Sequence, residues 1–251
     1  MTISFLDGAV RQAHVVDATD HRPWPLPETP WTSAQSWVDL GFLHWRAGPD
    51  QLRKLLPGSV ELETFDGSAW LGVVPFVLTD LRLRGLPPVP RYSTFPELNV
   101  RTYVTRGDRP GIWFFSLDAA SRLFVEAAKK LYRLPYHQAR MSSIRDGDHV
   151  HYESARAGAA FSGNYRGVGD LFQATPGSLE AFLTERYCLY TEDGGRLYRA
   201  DVHHPPWDLQ HAEARVDLNT IAPVSLGGDP HVLFSPRQDT VVWPLRELDA
   251  E

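Results

Sequence analysis

The chain has 251 residues and a mass of 28.3 kDa, which is enough for one large domain or two small ones. Hydrophobic residues make up 43% and charged residues 22%, a globular composition that excludes a disordered chain. The net charge of −6 gives no overall attraction to nucleic acid or to an anionic membrane, so we expect neither as a partner. Only three of the 25 basic residues are lysines, which limits any amine chemistry.

Residues 1–20 are not expected to be a signal peptide, and a proline-rich segment follows at residues 22–31. Residues 1–20 lack a basic stretch followed by an apolar core, and no stretch approaches the roughly 20 apolar residues that cross a bilayer, so we expect a cytoplasmic protein. We interpret residues 1–21 as an N-terminal extension and 22–251 as a single domain. Four prolines between residues 22 and 31, with Trp24 and Trp31, predict an extended arm. The two tryptophans favour an arm that packs on its own domain or on a second subunit, and a free linker is the alternative, so a homo-oligomer stays open.

Strand patterns dominate the remaining chain. Short helices are predicted at residues 49–56, 119–133 and 178–186, with Asp118 as the cap of the second. Asp66-Gly67, Asp146-Gly147 and Gly194-Gly195 predict hairpins. The proline-rich connection 79–94 is long for a compact domain, and its residues 81–91 are a candidate lid. The predicted strands cover 37–45, 60–65, 69–78, 97–105, 111–117, 136–144, 149–156, 159–166, 187–190, 196–203, 212–219, 232–234 and 240–245, which indicates a barrel or sandwich.

Several long motifs, in order, resemble one known family. They are RPWPLPETPW, ELETFDGSAWLGVVPF, LPPVPRYSTFPELNVRTYV, GIWFFSLDAASRLFVEAAKKLYRLPY and LTERYCLY with GRLYRADVHHPPW, between residues 22 and 245. They resemble the YqjF-like family, a domain of unknown function (2071) without a settled activity. That family is in turn distantly similar to acetoacetate decarboxylase. This resemblance implies a mainly β fold: a closed antiparallel β-barrel with a few short flanking helices and an interior ligand cavity.

The resemblance to the decarboxylase also places two residues. FPELNV is similar to the strand with an active-site glutamate, which puts Glu97 at that position. KKLYRLPYHQA is similar to the junction where a proline precedes two lysines, one of which forms a Schiff base. Here Pro135 is followed by Tyr136 and His137, neither of which can form an imine. Lys54, Lys129 and Lys130 fall on polar helix faces, so acetoacetate decarboxylase activity is not expected.

Alternation over residues 97–105 gives the strongest candidate site. Glu97, Asn99, Arg101 and Tyr103 share one strand face. They either line a cavity, with Glu97 as acid or base and the others binding a ligand, or simply face solvent. Tyr136 would donate a hydrogen bond to a carbonyl in the first case, and a packed tyrosine is the alternative. Gln138 and Arg140 share its strand face and are further candidate ligand-binding residues.

Other chemistry is disfavoured by spacing. His203 and His204 are adjacent and point to opposite faces, so we expect no metal site. Cys188 lies in an apolar strand and is interpreted as a buried thiol. Residues 167–169 lack the spacing of a dinucleotide fingerprint, and we expect no cofactor. Three functions stay open: an acid/base enzyme acting on a carbonyl or carboxylate compound, a non-catalytic binding or sensor protein for a small molecule, and a scaffold.

Overall fold

The computed structural model describes residues 3–249, and side chains from residue 8 onward. Within these residues fourteen strands pair into one sheet, accompanied by four helices and a 3₁₀ turn at Val15–Asp17. The helices are α1 Ile3–His14, α2 Pro49–Arg53, α3 Arg122–Tyr132 and α4 Leu179–Thr184. The strands are β1 Ser33–Ala47, β2 Glu61–Leu62, β3 Ala69–Leu83, β4 Phe95–Arg106, β5 Arg109–Ala119, β6 Tyr136–Gln138, β7 Arg140–Asp146, β8 His149–Arg156, β9 Ala159–Phe172, β10 Cys188–Asp193, β11 Arg196–His203, β12 Leu209–Asn219, β13 His231–Val242 and β14 Arg246–Glu247.

Seven of these strands close into a ring. The order β11-β10-β5-β4-β3-β1-β13 returns to β11 through the pairing of Val202 with Val242. The ring is antiparallel except between β5 and β10, which run parallel. All seven strands contribute buried apolar side chains to one cluster inside the ring. The predicted mainly β class is therefore confirmed, and the ring gives the sheet an interior.

The strands β12, β9, β8 and β7 continue from β13 and fold back over the outside of the ring. Tyr152 of β8 donates hydrogen bonds to the backbone oxygens of Phe76 (3.2 Å) and Glu97 (2.7 Å). A second apolar cluster fills the space between, with Leu98 and Val100 of β4 fully buried in it. As a result, β4 is covered on both faces, so the alternation of polar and apolar residues along it separates two interiors and does not mark a solvent-facing side.

Two of the three predicted hairpins are present: Asp146 pairs with His149, and Asp193 with Arg196. At Asp66-Gly67 the turn forms only a single bridge between Phe65 and Ser68, because β2 pairs with β4 and not with β3. The predicted strand 232–234 and the first three residues of the predicted strand 240–245 belong to one strand, β13, which ends at Val242. Pro236 is accommodated because the pairing places it opposite Asp39, whose left-handed backbone (φ 53°) marks an irregularity in β1.

Helix α3 is shorter than predicted and has a different cap. Its N-terminus is capped by Ser121, whose Oγ accepts a hydrogen bond from the Phe124 N–H (3.4 Å). Asp118 is part of β5 and is fully buried. Its carboxylate accepts hydrogen bonds from Ser154 and Arg156 and therefore does not serve as a cap.

The N-terminal segment contains α1, a helix that the weak periodicity of residues 1–21 did not predict. Gln12 of α1 is fully buried and donates hydrogen bonds to Ser36 Oγ (3.0 Å) and Asp80 O (3.2 Å). The arm 22–31 also packs on its own domain: Trp24 donates a hydrogen bond to Asp201 (3.3 Å), and Trp31 packs on the cluster around Trp243. No helix within residues 3–249 is long and apolar enough to cross a membrane.

Candidate ligand cavity

A cavity of about 460 Å³ opens from the interior of the strand ring. Its walls are mostly aromatic and aliphatic, with a few polar side chains. This size and composition are typical of pockets that bind small molecules. The apolar lining includes Trp37, Phe42, Phe76, Phe114, Leu117, Phe124 and Trp207.

Three polar residues of the cavity come from one face of β4. Glu97, Asn99 and Arg101 all line it, because successive strand residues alternate between the two faces and these three share the inner one. Their side chains are buried, at 4%, 7% and 6% exposure. The structure thus brings three of the predicted site residues together in an enclosed space.

Glu97 is a buried acid, and its two carboxyl oxygens differ in their hydrogen bonding. Tyr136 donates a hydrogen bond to Oε1 (3.2 Å), while Oε2 has no hydrogen-bond partner in the protein. Burial raises the pKa of Glu97 to about 8, and the Tyr136 hydrogen bond opposes only part of that rise. The carboxyl group is therefore largely protonated at neutral pH. Such a pKa is suited to proton transfer near pH 7.

Arg101 is a buried cation to which no carboxylate is paired. Its Nη2 donates to the backbone oxygen of Leu183 (3.0 Å), and its Nε has no partner. None of the ion pairs among residues 8–249 includes Arg101. Asn99 is similar, since its Oδ1 is buried without a partner. Leaving a buried polar atom unpaired costs about 1–3 kcal/mol, more for a charge, so these groups lower the stability of the fold unless a ligand or water binds them.

Tyr103 supports the site from behind and does not line the cavity. Its hydroxyl donates to Leu183 O (2.7 Å), the same oxygen that Arg101 contacts. The Tyr103 hydroxyl has only one proton, which it donates to Leu183 O. Its oxygen therefore accepts a hydrogen bond from His44 Nε2–H at 2.6 Å. Burial, with the nearby Arg101 charge, holds the pKa of His44 well below its usual value, so His44 is neutral. Tyr103 therefore fixes the wall against which Arg101 is held.

Tyr136 joins the cavity, but the residues that follow it do not. Tyr136 lines the cavity next to Glu97, and burial followed by the Glu97 charge raises its pKa well above the usual value, so the hydroxyl remains a donor. Gln138 and Arg140 are exposed and are not among the lining residues. The chain leaves the ring at this point, because β6 pairs with β5 for only three residues before β7 joins the outer strands. A ligand-binding role for Gln138 and Arg140 thus has no support from the cavity geometry.

None of the three lysines lines the cavity. Lys54, Lys129 and Lys130 are all exposed. Schiff-base chemistry needs an amine inside the desolvated site, and these three amines lie outside it. The cavity lining therefore offers no primary amine for an imine.

Several lining residues were not predicted as site residues. Arg186 lines the cavity but pairs with Glu63 Oε2 at 2.6 Å, so its charge is compensated. His204 also lines it, and burial lowers the pKa of its ring to about 4. Cys188 lies in the wall with a thiol whose pKa burial raises to about 12. The HHPPW motif was visible in the sequence, but only the closed ring shows which of the two histidines faces inward.

The mouth of the cavity is formed by the connection after β3 and by α3. Leu86, Val89 and Tyr92 line it from the connection, and Leu123 and Leu131 from the helix. The predicted lid segment 81–91 therefore borders the cavity. Among residues 8–249 no group of three or more His, Cys, Asp or Glu side chains is arranged to hold a metal ion.

The fold places the protein in the class of acetoacetate decarboxylase-like structures. Acetoacetate decarboxylase from Legionella pneumophila is similar over 94% of this chain and 95% of that chain, with a TM-score of 0.61 and 11% identity. The enduracididine biosynthesis enzyme MppR complexed with pyruvate covers 92% of this chain and 95% of its own, with a TM-score of 0.63 and 11% identity. An acetoacetate decarboxylase-like enzyme from Sphingomonas wittichii RW1 gives 0.60 at 15% identity, covering 92% and 98%. At these identities the likeness concerns the fold alone.

The sequence comparisons identify the family. Residues 34–239 match the model of the DUF2071 family, described as an uncharacterized conserved protein, and the chain belongs to this family. It is 44% identical over 229 residues to the uncharacterized protein YqjF of Bacillus subtilis (strain 168), which covers 88% of this chain and 95% of that relative. The resemblance stated from the motifs is therefore confirmed.

Proposed function

We propose that this protein binds a small carbonyl or carboxylate compound in the cavity and that Glu97 exchanges a proton with it. One observation carries the proposal: Glu97 is buried in a ligand-sized cavity with a pKa of about 8 and an Oε2 atom that no protein group occupies. A carboxyl group in that state is available to a ligand as a proton donor or acceptor.

The charge of the site favours an anionic ligand. Arg101 is buried without a carboxylate partner, and its Nε and the Asn99 Oδ1 are unpaired. A ligand carboxylate would supply the missing counter-charge for Arg101. Binding would thus relieve the cost of keeping the Arg101 Nε–H buried and unpaired, which amounts to about 1–3 kcal/mol.

The proton transfer follows from the protonation state of Glu97. With a pKa of about 8, about one tenth of the molecules hold Glu97 as a carboxylate at pH 7. That carboxylate takes a proton from the carbon next to the ligand's carbonyl group, giving a protonated Glu97 and an enolate. The carboxylic acid then exchanges its proton with solvent and returns one to the same carbon. No imine is part of the reaction, since no lysine lines the cavity.

The test measures the exchange of α-protons for deuterium. A panel of keto acids is incubated with the protein in D₂O and followed by proton NMR. We expect exchange that falls at least about hundredfold in Glu97→Gln, the usual contribution of a positioned acid or base. Glu126→Gln is the matched control, because Glu126 is exposed on α3 and outside the cavity.

Each other outcome is informative. Exchange that survives Glu97→Gln unchanged contradicts the role of Glu97. Saturable binding without exchange supports the alternative of a non-catalytic binding protein that uses the same cavity. An adduct trapped by borohydride with acetoacetate would show an imine and overturn the argument from the lysines.

A further inference from the structure

The mouth of the cavity carries an unusual concentration of exposed apolar side chains. Among residues 8–249, twelve large hydrophobic side chains are exposed, and six of them line this one cavity. These six are Leu83, Leu86, Val89, Tyr92, Leu123 and Leu131, with exposures between 56% and 67%. Scattered single apolar residues need no explanation, but a cluster continuous with a cavity indicates a binding surface.

On helix α3, the apolar side chains of the mouth follow a regular helical spacing. Leu123, Ala127 and Leu131 follow one another at a spacing of four residues, so they form one stripe along the helix. All three are exposed and line the cavity, whereas Val125 and Ala128 provide the buried contacts of the helix. The helix thus has a second apolar stripe that is not used to attach it to the domain.

The two ends of the cavity differ in chemistry. Four lining residues have a buried polar atom without a partner. Three of them, Glu97, Asn99 and the cation Arg101, belong to β4, and the fourth is Trp37 of β1. The other lining cation near the mouth, Arg82, is already engaged: it donates to Gln12 Oε1 (2.7 Å) and Ala9 O (3.0 Å). A ligand that satisfies the whole lining has an anionic head for Arg101 and an apolar chain that reaches the mouth.

The size of the cavity excludes a small ligand as its full occupant. At ~30 Å³ for each water-sized group, a volume of about 460 Å³ holds roughly fifteen non-hydrogen atoms. A four-carbon oxo acid, with about seven such atoms, fills less than half of it. The remaining space is bordered by apolar side chains, which favours a longer hydrocarbon chain over additional polar groups.

We propose that the ligand of this cavity is a carboxylic acid with a straight hydrocarbon chain of about eight to twelve carbons, or its oxo derivative. The carboxylate lies at Arg101, and the chain passes between α3 and residues 84–94 to the mouth. The carboxylate in this inference rests on the proposed function, whereas the hydrocarbon chain is inferred from the apolar mouth of the cavity.

The test is a chain-length series measured by isothermal titration calorimetry. Butanoate, hexanoate, octanoate and decanoate are titrated into the full-length protein at pH 7, each below its micelle concentration. Burial of each methylene contributes about 0.8 kcal/mol, so we expect Kd to fall about fourfold per added carbon, or about 15-fold per step of the series. The same Kd for butanoate and decanoate overturns the inference and leaves the proposed carboxylate site standing.

Two matched substitutions locate the chain. Leu131→Asp places a charge at the mouth and is expected to weaken decanoate at least tenfold and to flatten the chain-length series. Ile144→Asp is the control, because Ile144 has a similar exposure (61% against 63%) and does not line the cavity. An unchanged series in Leu131→Asp contradicts the proposed path of the chain.

Two further measurements separate the alternatives. Decanol binding as tightly as decanoate would overturn the carboxylate head group, both in this inference and in the proposed function, because an alcohol gives Arg101 no counter-charge. Light scattering reports the mass of the assembly in solution. If Leu131→Asp reduces that mass and leaves the chain-length series unchanged, the apolar mouth is an interface between copies of this chain, and the inference is overturned.

Discussion

Two buried carboxyl groups lie on neighbouring strands and differ in the partners that surround them. Glu97 on β4 pairs with Ala119 of β5, and the next residue, Leu98, pairs with Asp118. The two acids therefore point to opposite faces of the same two-stranded ladder. Asp118 accepts hydrogen bonds from Ser154 Oγ (2.8 Å) and Arg156 Nε (2.7 Å), whereas Glu97 accepts only one, from Tyr136.

This difference in partners distinguishes an acid that stabilises the fold, Asp118, from the acid of the proposed function, Glu97. The outer face gives Asp118 a cation and a hydroxyl, which is how proteins normally stabilise a buried acid. On the inner face Glu97 borders the cavity, and Arg101, the cation on its own strand, does not pair with it. An acid that is kept buried without a cation costs stability, and the ligand of the proposed function would offset that cost. Three experiments test this contrast.

The largest expected effect is on the pH dependence of stability. Folded Glu97 keeps its proton up to pH 8, whereas the unfolded chain releases it near pH 4.3. Between these values the folded state binds more protons, so the free energy of unfolding falls as pH rises. We expect wild type to lose about 1.4 kcal/mol per pH unit relative to Glu97→Gln, or about 4 kcal/mol from pH 5 to pH 8.

Urea denaturation at several pH values measures this difference. Subtracting the Glu97→Gln curve removes the contributions of all other titrating groups. The same slope in both proteins would mean that Glu97 is ionised at neutral pH, and the contrast with Asp118 would then be wrong.

The next effect concerns the paired acid. Asp118→Ala leaves Arg156 without its buried partner, and breaking such a pair costs about 3 kcal/mol of unfolding free energy. Asp193→Ala removes the partner of Arg133 in an exposed ion pair and is expected to cost less than about 1 kcal/mol. Chemical denaturation at pH 7 measures both. Equal losses would show that the burial of Asp118 contributes nothing.

The smallest effect is that of the single hydrogen bond to Glu97. Tyr136→Phe removes the hydroxyl that lowers the pKa of Glu97, so we expect this pKa to rise by about one unit, equivalent to about 1.4 kcal/mol. Carbon NMR of labelled glutamate follows the titration. Tyr152→Phe is the matched control, because the Tyr152 hydroxyl contacts the backbone oxygen of Glu97 and not its carboxyl group. A lower pKa in Tyr136→Phe would contradict the assignment.

Much of the fold could be predicted from local patterns. Alternation, apolar runs and glycine-containing turns predicted most strands and two of the three hairpins, because these signals depend on neighbours in sequence. The failures depend on distant residues. Residues 240–242 join residues 232–234 in the single strand β13 because an irregularity at Asp39 in β1 accommodates Pro236. Asp118 is not a helix cap because Arg156, on β8, binds it.

The candidate site also contains residues that local patterns grouped correctly and residues that they did not. The period of two along β4 put Glu97, Asn99 and Arg101 on one face, and that grouping holds. The same period grouped Tyr136 with Gln138 and Arg140, which the structure separates, because β6 ends after three residues and the chain leaves the ring. No local signal marks that departure.

The sequence by itself determined the residue types, the alternation along β4 and the lack of a lysine after Pro135, since these are properties of neighbouring residues. Only the tertiary structure decided whether the polar face of β4 meets water or an interior. That outcome depends on the closure of seven strands through β11 and β13 and on the outer strands that cover the other face. Burial then raises the pKa of Glu97 and leaves Arg101 unpaired, and burial is a property of the whole fold.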